Sequence, residues 1–218
     1  MTPADDPAGL NQVLAEQRAY YHAYAREYLA QEQEFPGTAE LGAAIDAFGP
    51  TGSVLELACG PGTWTARLLR HASSLTGVDA SREMLALAAA QAGNDRARFI
   101  EADLFAWEPD QQYDVVFIGF WLSHVPEARF ASFWSMVDRA LRPGGRVLIV
   151  DDGHRSPDEL IEGEQSTTIA RQVTDGTSYR LVKVPLTAAS VEQRLRRLGW
   201  DVAATQCGPF FWATATRA

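Results

Sequence analysis

Three carboxylates are spaced so that they could serve one ligand. Glu56 stands just before a glycine turn, Ala58-Cys59-Gly60-Pro61-Gly62, which separates an apolar run from a helical one. Asp79 closes a second apolar run, nineteen positions after Gly60, and Asp103 lies just past a third, Arg98–Glu101. Gly60 and Gly62 permit positive φ and let a ligand approach the backbone. The helix entry beyond them offers unpaired N–H groups. A carboxylate placed as Asp79 is can accept both hydroxyls of a ribose. Asp103 can accept a hydrogen bond from an adenine amino group, with Leu104 among the apolar neighbours that flank the ring. Met84 could cover the other face of the base, although core packing explains it equally well. Glu56 bears on the ligand's charge: a carboxylate under the glycine turn repels a pyrophosphate and suits a cation.

The elements that must hold these residues follow from periodicity. Ser53–Ala58, Leu75–Asp79, Arg98–Glu101, Tyr113–Phe120 and Arg146–Val150 predict five strands. Between them, Thr63–Ala72 predicts a helix, Ser81 caps another that Gly93-Asn94 stops, and Pro126 takes the first helical position of a third. Pro143-Gly144-Gly145 predicts a tight turn into the fifth strand. Strands alternating with helices predict a parallel sheet whose carboxyl ends share one face, where ligands bind. Upstream, residues 10–34 predict one long helix, with Val13, Gln17, Tyr20, Tyr24 and Tyr28 at helical spacing, ended by Phe35-Pro36-Gly37. A short helical stretch, Ala39 to Phe48, follows. Downstream, Thr167–Thr174 and Ser178–Val184 flank Asp175-Gly176-Thr177, a hairpin signal. Thr187–Leu198 predicts a helix, and Asp201–Cys207 with Phe210–Thr216 a final antiparallel pair.

Composition bounds the rest. The chain of 218 residues carries 28 acidic and 19 basic side chains, a formal charge of −9. At roughly 150 residues per domain this predicts a single domain, 1–218. Within it, 10–34 forms a cap helix, 50–151 the cofactor-binding core, 152–186 a cap insertion and 187–218 a closing helix and hairpin. The negative charge argues against phosphate-backbone binding. The sequence shows neither a membrane-spanning run nor a signal-peptide pattern, so a cytoplasmic location is expected. The two cysteines, Cys59 and Cys207, cannot make a disulfide framework or a cysteine-based zinc site.

The cation preference of Glu56 favours S-adenosylmethionine (SAM) over a nicotinamide dinucleotide. The sequence resembles the class I SAM-dependent methyltransferases, and among them small bacterial enzymes that methylate metabolites. Residues 56–62 resemble that family's first motif; 77–81, 101–105, 113–125 and 141–151 resemble its later ones in order and spacing. The resemblance implies an α/β, Rossmann-like fold: a seven-stranded, mostly parallel sheet with an antiparallel last strand and helices on both faces. The N-terminal helix and the 167–184 hairpin are expected to cap it. The resemblance also implies that Glu56, Gly60, Asp79 and Asp103 touch the cofactor. Ala58, Gly62, Trp64, Ala80, Met84, Leu104, Phe120 and the lid residue Tyr21 are expected to complete its surroundings.

The acceptor is harder to read. His124, in Gly119-Phe120-Trp121-Leu122-Ser123-His124-Val125-Pro126, titrates near neutrality and is the general-base candidate; a structural role bracing the next helix is the alternative. Asp151 or His154 is a second choice of base. A metal site is not expected, since residues 119–125 supply no carboxylate. Arg171 and Arg180 could meet an acidic substrate, but solvated strand charges are the plainer expectation. The reading is therefore methyl transfer to an oxygen or nitrogen of a small molecule, with a homodimer left open. The alternatives are an RNA methyltransferase and a non-catalytic SAM-binding protein. The −9 charge and the lack of an added basic domain weigh against the first.

Overall fold

A computed structural model of the protein describes residues 7–28, 38–93, 95–161, 163–164 and 166–218. The expected helix end at 29–37, the Asn94 stop and the side chain of Tyr28 lie outside what is described. The first segment is α1 (Pro7–Tyr28), then α2 (Thr38–Phe48). The alternating core follows as β1 (Gly52–Leu57), α3 (Thr65–Leu68), β2 (Ala72–Asp79), α4 (Arg82–Ala92), β3 (Ala97–Glu101), β4 (Tyr113–Gly119), α5 (Glu127–Ala140) and β5 (Leu141–Asp152). A hairpin of β6 (Thr168–Gln172) and β7 (Ser178–Val182) precedes α6 (Ala188–Arg197), β8 (Trp200–Cys207) and β9 (Phe210–Arg217).

Seven strands form one sheet in the order β3-β2-β1-β4-β5-β9-β8. The first five run parallel, and β9 lies antiparallel between β5 and β8. Alternation along the strands feeds two cores. Leu55, Leu57, Val116, Ile118, Val147 and Ile149 face α1, α5 and α6; Val54, Val115, Phe117, Leu148 and Val150 face α2 and α3. The chain order reverses between β1 and β4, which opens a crevice at their carboxyl ends. Both strands leave the sheet there through a non-glycine residue at positive φ, Ala58 at 51° and Phe120 at 53°. Such conformations cost about 1–2 kcal/mol and persist only where surrounding structure imposes them. Among the described residues, no helix is long and apolar enough to cross a membrane.

Several boundaries differ from expectation. The helix predicted over Thr63–Ala72 is regular only at Thr65–Leu68. Turn bonds from Gly62 N to Cys59 O, Arg70 N to Arg67 O and His71 N to Leu68 O tighten its flanks, and β2 already begins at Ala72. Pro126 is the N-cap, with ψ 153°, and Glu127 is the first helical residue. The turn at residues 143–145 is absorbed into β5 as a register shift: Leu141 pairs with Tyr113, and pairing resumes at Arg146 with Val115.

The two caps are one unit. Glu16 on α1 accepts from Arg180 Nη2 at 2.5 Å and from Arg180 Nε at 2.9 Å. The Gln17 side-chain oxygen accepts from the buried Val182 N–H at 3.0 Å. Tyr20 packs with Ile169, Val173 and Leu181 of the hairpin. Arg180 is therefore paired across the cap while its side chain stays partly exposed.

Candidate active site

The crevice contains a cavity of about 1450 Å³. Every residue anticipated at the cofactor lines it except Gly62, and so do His124 and His154. Gly62 acts from beneath. At φ 89°, a Cβ there would meet Ala88 Cα at 2.9 Å, so glycine lets the turn close on α4. Gly60, at φ 53°, has no atom within 4 Å of where its Cβ would stand, and its backbone is open to a ligand.

Asp79 buttresses the turn. Its Oδ2 accepts from Gly60 N–H at 2.9 Å and its Oδ1 from Ser81 N–H at 2.9 Å, so the carboxylate is fixed in orientation before any ligand arrives. Desolvation raises its pKa against the pull of these N–H groups. Glu56 is 1% exposed, and its hydrogen-bond partner is the Thr65 hydroxyl at 2.6 Å. Burial, aided by the like charge of Asp79, pushes its pKa to about 8. A buried carboxyl without a cationic partner is electrostatically strained once ionised, and an ammonium beside it would relieve that strain. This set of carboxylate acceptors fits SAM and does not fit a pyrophosphate.

Asp103 is braced by Phe105 N–H at 3.0 Å and is also engaged by Arg18 of α1, at 2.9 Å. Met84 is 2% exposed yet lines the cavity, so packing and base contact are compatible roles. Ser81 caps α4 by accepting from Met84 N–H, as anticipated. Trp64 stacks on Phe120 with centroids 6.3 Å apart, and Phe210 meets Phe120 edge-on.

The other end of the cavity is built by α1, the hairpin and the segment before it. His124 is 3% exposed. Its Nδ1 lies 2.6 Å from the Val182 carbonyl, which can only accept, so Nδ1 carries the proton. Burial and the nearby cations Lys183 and Arg171 hold its pKa well below the usual value, so the ring is neutral. Nε2 is then a lone-pair acceptor, and the Tyr21 hydroxyl donates to it at 3.0 Å. Asp151 is fully buried and satisfied by Ser123 N–H, Ser123 Oγ–H and Asp152 N–H, and it does not line the cavity. Lys183 Nζ reaches Ser123 Oγ at 3.0 Å and Asp152 Oδ1 at 3.1 Å. Arg171, expected on a solvated strand, lines the cavity with Nε–H donated to Glu159 at 2.7 Å. Arg18, Lys183 and Glu159 carried no sequence signal. The packing of α1 and the hairpin over the crevice brings Arg18 and Lys183 there, and the segment before β6 brings Glu159.

Known proteins share this architecture. A family model described as a methyltransferase domain matches residues 54–145. A solved complex of DhpI with SAM and HEP superposes with a TM-score of 0.84 at 37% identity, covering 94% of this chain and 98% of that one. Among curated proteins, a demethylmenaquinone methyltransferase of Lactococcus lactis is 30% identical over 109 residues. A trans-aconitate 2-methyltransferase of Escherichia coli is 37% identical over 111 residues. These two matches take in 47% and 50% of this chain but 42% and 40% of the relatives, so the alignment spans about two fifths of the curated relatives' length. The DhpI match, by contrast, runs nearly end to end, and with the SAM-compatible carboxylates of the crevice it establishes that this chain belongs to the class I S-adenosylmethionine-dependent methyltransferases.

Proposed function

We propose that the protein methylates an oxygen or nitrogen of a small molecule held between the cofactor and the α1–hairpin cap. One observation carries this reading: the cavity is continuous from the Glu56–Asp79–Asp103 end to the capped end at Tyr21, His124 and Arg171. The relatives named for trans-aconitate and demethylmenaquinone favour a small-molecule acceptor.

When bound, SAM supplies an electrophilic methyl group on a sulfonium. The chain's own residues bind and orient. Glu56 and Gly60 would hold the amino-acid end, Asp79 the ribose, and Asp103, Leu104 and Met84 the adenine. For Asp103 to accept from the base, Arg18 must share it or swing aside. Residues of α1 line the crevice, and alignment of the acceptor is the main catalytic contribution asked of the protein. His124 reaches the acceptor space through Tyr21: a proton taken from an acceptor would pass to the Tyr21 oxygen as the Tyr21 proton passes to Nε2.

Calorimetry tests the reading. SAM and its demethylated product (SAH) should each bind one to one, with NAD giving no heat. Binding of NAD in preference to SAH would refute it.

A further inference from the structure

We propose that the acceptor is an oxyacid, carboxylate or phosphate in type, and that its ionised oxygen is the atom methylated. The inference rests on the methyltransferase reading above, and two independent features of the capped end support it.

The first is Arg171. It lines the cavity from β6, close enough to Tyr20 and Tyr21 of α1 to interact with them electrostatically. Glu159 holds it through Nε, and Glu159 is itself fixed by the Ser156 N–H at 3.1 Å. Neither Nη group has a hydrogen-bond partner among the described residues. An oriented guanidinium with both Nη groups unspent is the geometry that takes an oxyanion in two parallel hydrogen bonds. Lys183, 3% exposed at its side chain, is committed to Ser123 and Asp152. It contributes charge, not a free donor.

The second is the state of the candidate bases. His124 is neutral, with one ring nitrogen on a carbonyl and the other on Tyr21. Asp151 is buried and saturated away from the cavity. Of the base candidates, the Tyr21–His124 pair and the exposed His154 remain on the cavity, and an acceptor that arrives ionised calls on neither. The step then balances without a proton. A lone pair of the acid oxygen forms the O–CH₃ bond, the S–CH₃ pair stays on sulfur, and the opposite charges of oxyanion and sulfonium cancel. The product is a methyl ester. Charge cancellation is favoured where binding displaces water from the reacting atoms.

The test is calorimetry on the SAH-loaded protein with a panel of mono-, di- and tricarboxylates and organic phosphates, each paired with its neutral methyl ester. At least one acid should bind while its ester does not, and the two arms show which oxyanion is preferred. Arg171→Gln should weaken that binding at least tenfold with SAH affinity unchanged. Arg171→Lys, which keeps the charge and loses the fork, should recover only part. Equal binding of acids and esters, no binding by any acid, or wild-type affinity in both Arg171 variants would overturn the proposal. Failure of the unaltered protein to bind SAH would instead overturn the reading on which it rests.

Discussion

The cofactor end and the acceptor end of one cavity are built in opposite ways. At the cofactor end, Glu56, Asp79 and Asp103 sit at strand termini or just after them; backbone N–H groups hold the two aspartates and the Thr65 hydroxyl holds Glu56. Asp79 is held by Gly60 and Ser81, and Asp103 by Phe105. At the acceptor end, the groups are positioned by side chains that meet from distant parts of the chain. Tyr21 meets His124, and Gln17 meets Val182. The charge differs as well. The first end presents Glu56 and Asp79 with no cationic partner among the described residues, whereas at the second Lys183 and Arg171 are paired with Asp152 and Glu159 and act on His124. A site made of local turns tolerates changes elsewhere; a site made by docking depends on the cap staying closed.

Removing Asp79 should give the largest effect on ligand binding. Asp79→Ala loses charge-assisted hydrogen bonds to the ribose and the brace on Gly60, and SAH affinity should fall by about 1–3 kcal/mol in a calorimetric titration. Unchanged affinity would break the assignment of the ribose to this carboxylate.

At the other end, Gln17→Ala leaves the buried Val182 N–H without its acceptor, a cost of about 1–3 kcal/mol that falls on the cap alone. Hydrogen exchange should then speed up together in α1 and in β6–β7, with the parallel strands unaffected. Independent behaviour of α1 and the hairpin would show that they are not one unit. The smallest effect is expected at Arg18. Its pair with Asp103 is exposed on both sides, 45% and 37%, and such pairs contribute about 0–1 kcal/mol. Arg18→Ala should leave the melting temperature nearly unchanged and SAH affinity equal or slightly higher, because Asp103 is freed for the base. A large loss of SAH affinity would mean that Arg18 itself holds the cofactor.

The same contrast explains what could be read from the sequence. The parallel sheet, the antiparallel ending, the glycine turn and the three acids were legible because strand alternation and turn chemistry are local signals. Ser81 as an N-cap was legible for the same reason. The short α3 was missed because Trp64, Leu68 and Leu69 keep helical spacing even where tight turns replace regular helix. Arg171 and Arg180 sit at positions of a hairpin that alternation alone assigns to solvent. Only the docking of α1 pairs Arg180 with Glu16, and the segment before β6 supplies Glu159 to Arg171. His124 was legible as a titratable group near the site, but its neutral state depends on burial under the cap.

Glu56 supplies the most direct test of the cofactor end. Its pKa in the free protein is about 8, so at pH 7 it is mostly protonated. A raised carboxyl pKa means that folding is favoured by the protonated form, and stability declines as pH rises through the interval between the ordinary value of 4.5 and about 8. Cation binding beside Glu56 shifts it to the carboxylate and expels the proton. A calorimetric titration with SAH at pH 7, repeated in buffers of different ionisation enthalpy, should therefore show release of most of one proton, absent in Glu56→Gln. Heats that do not depend on the buffer, or a release that survives in Glu56→Gln, would contradict the assignment of Glu56 to the cofactor's ammonium.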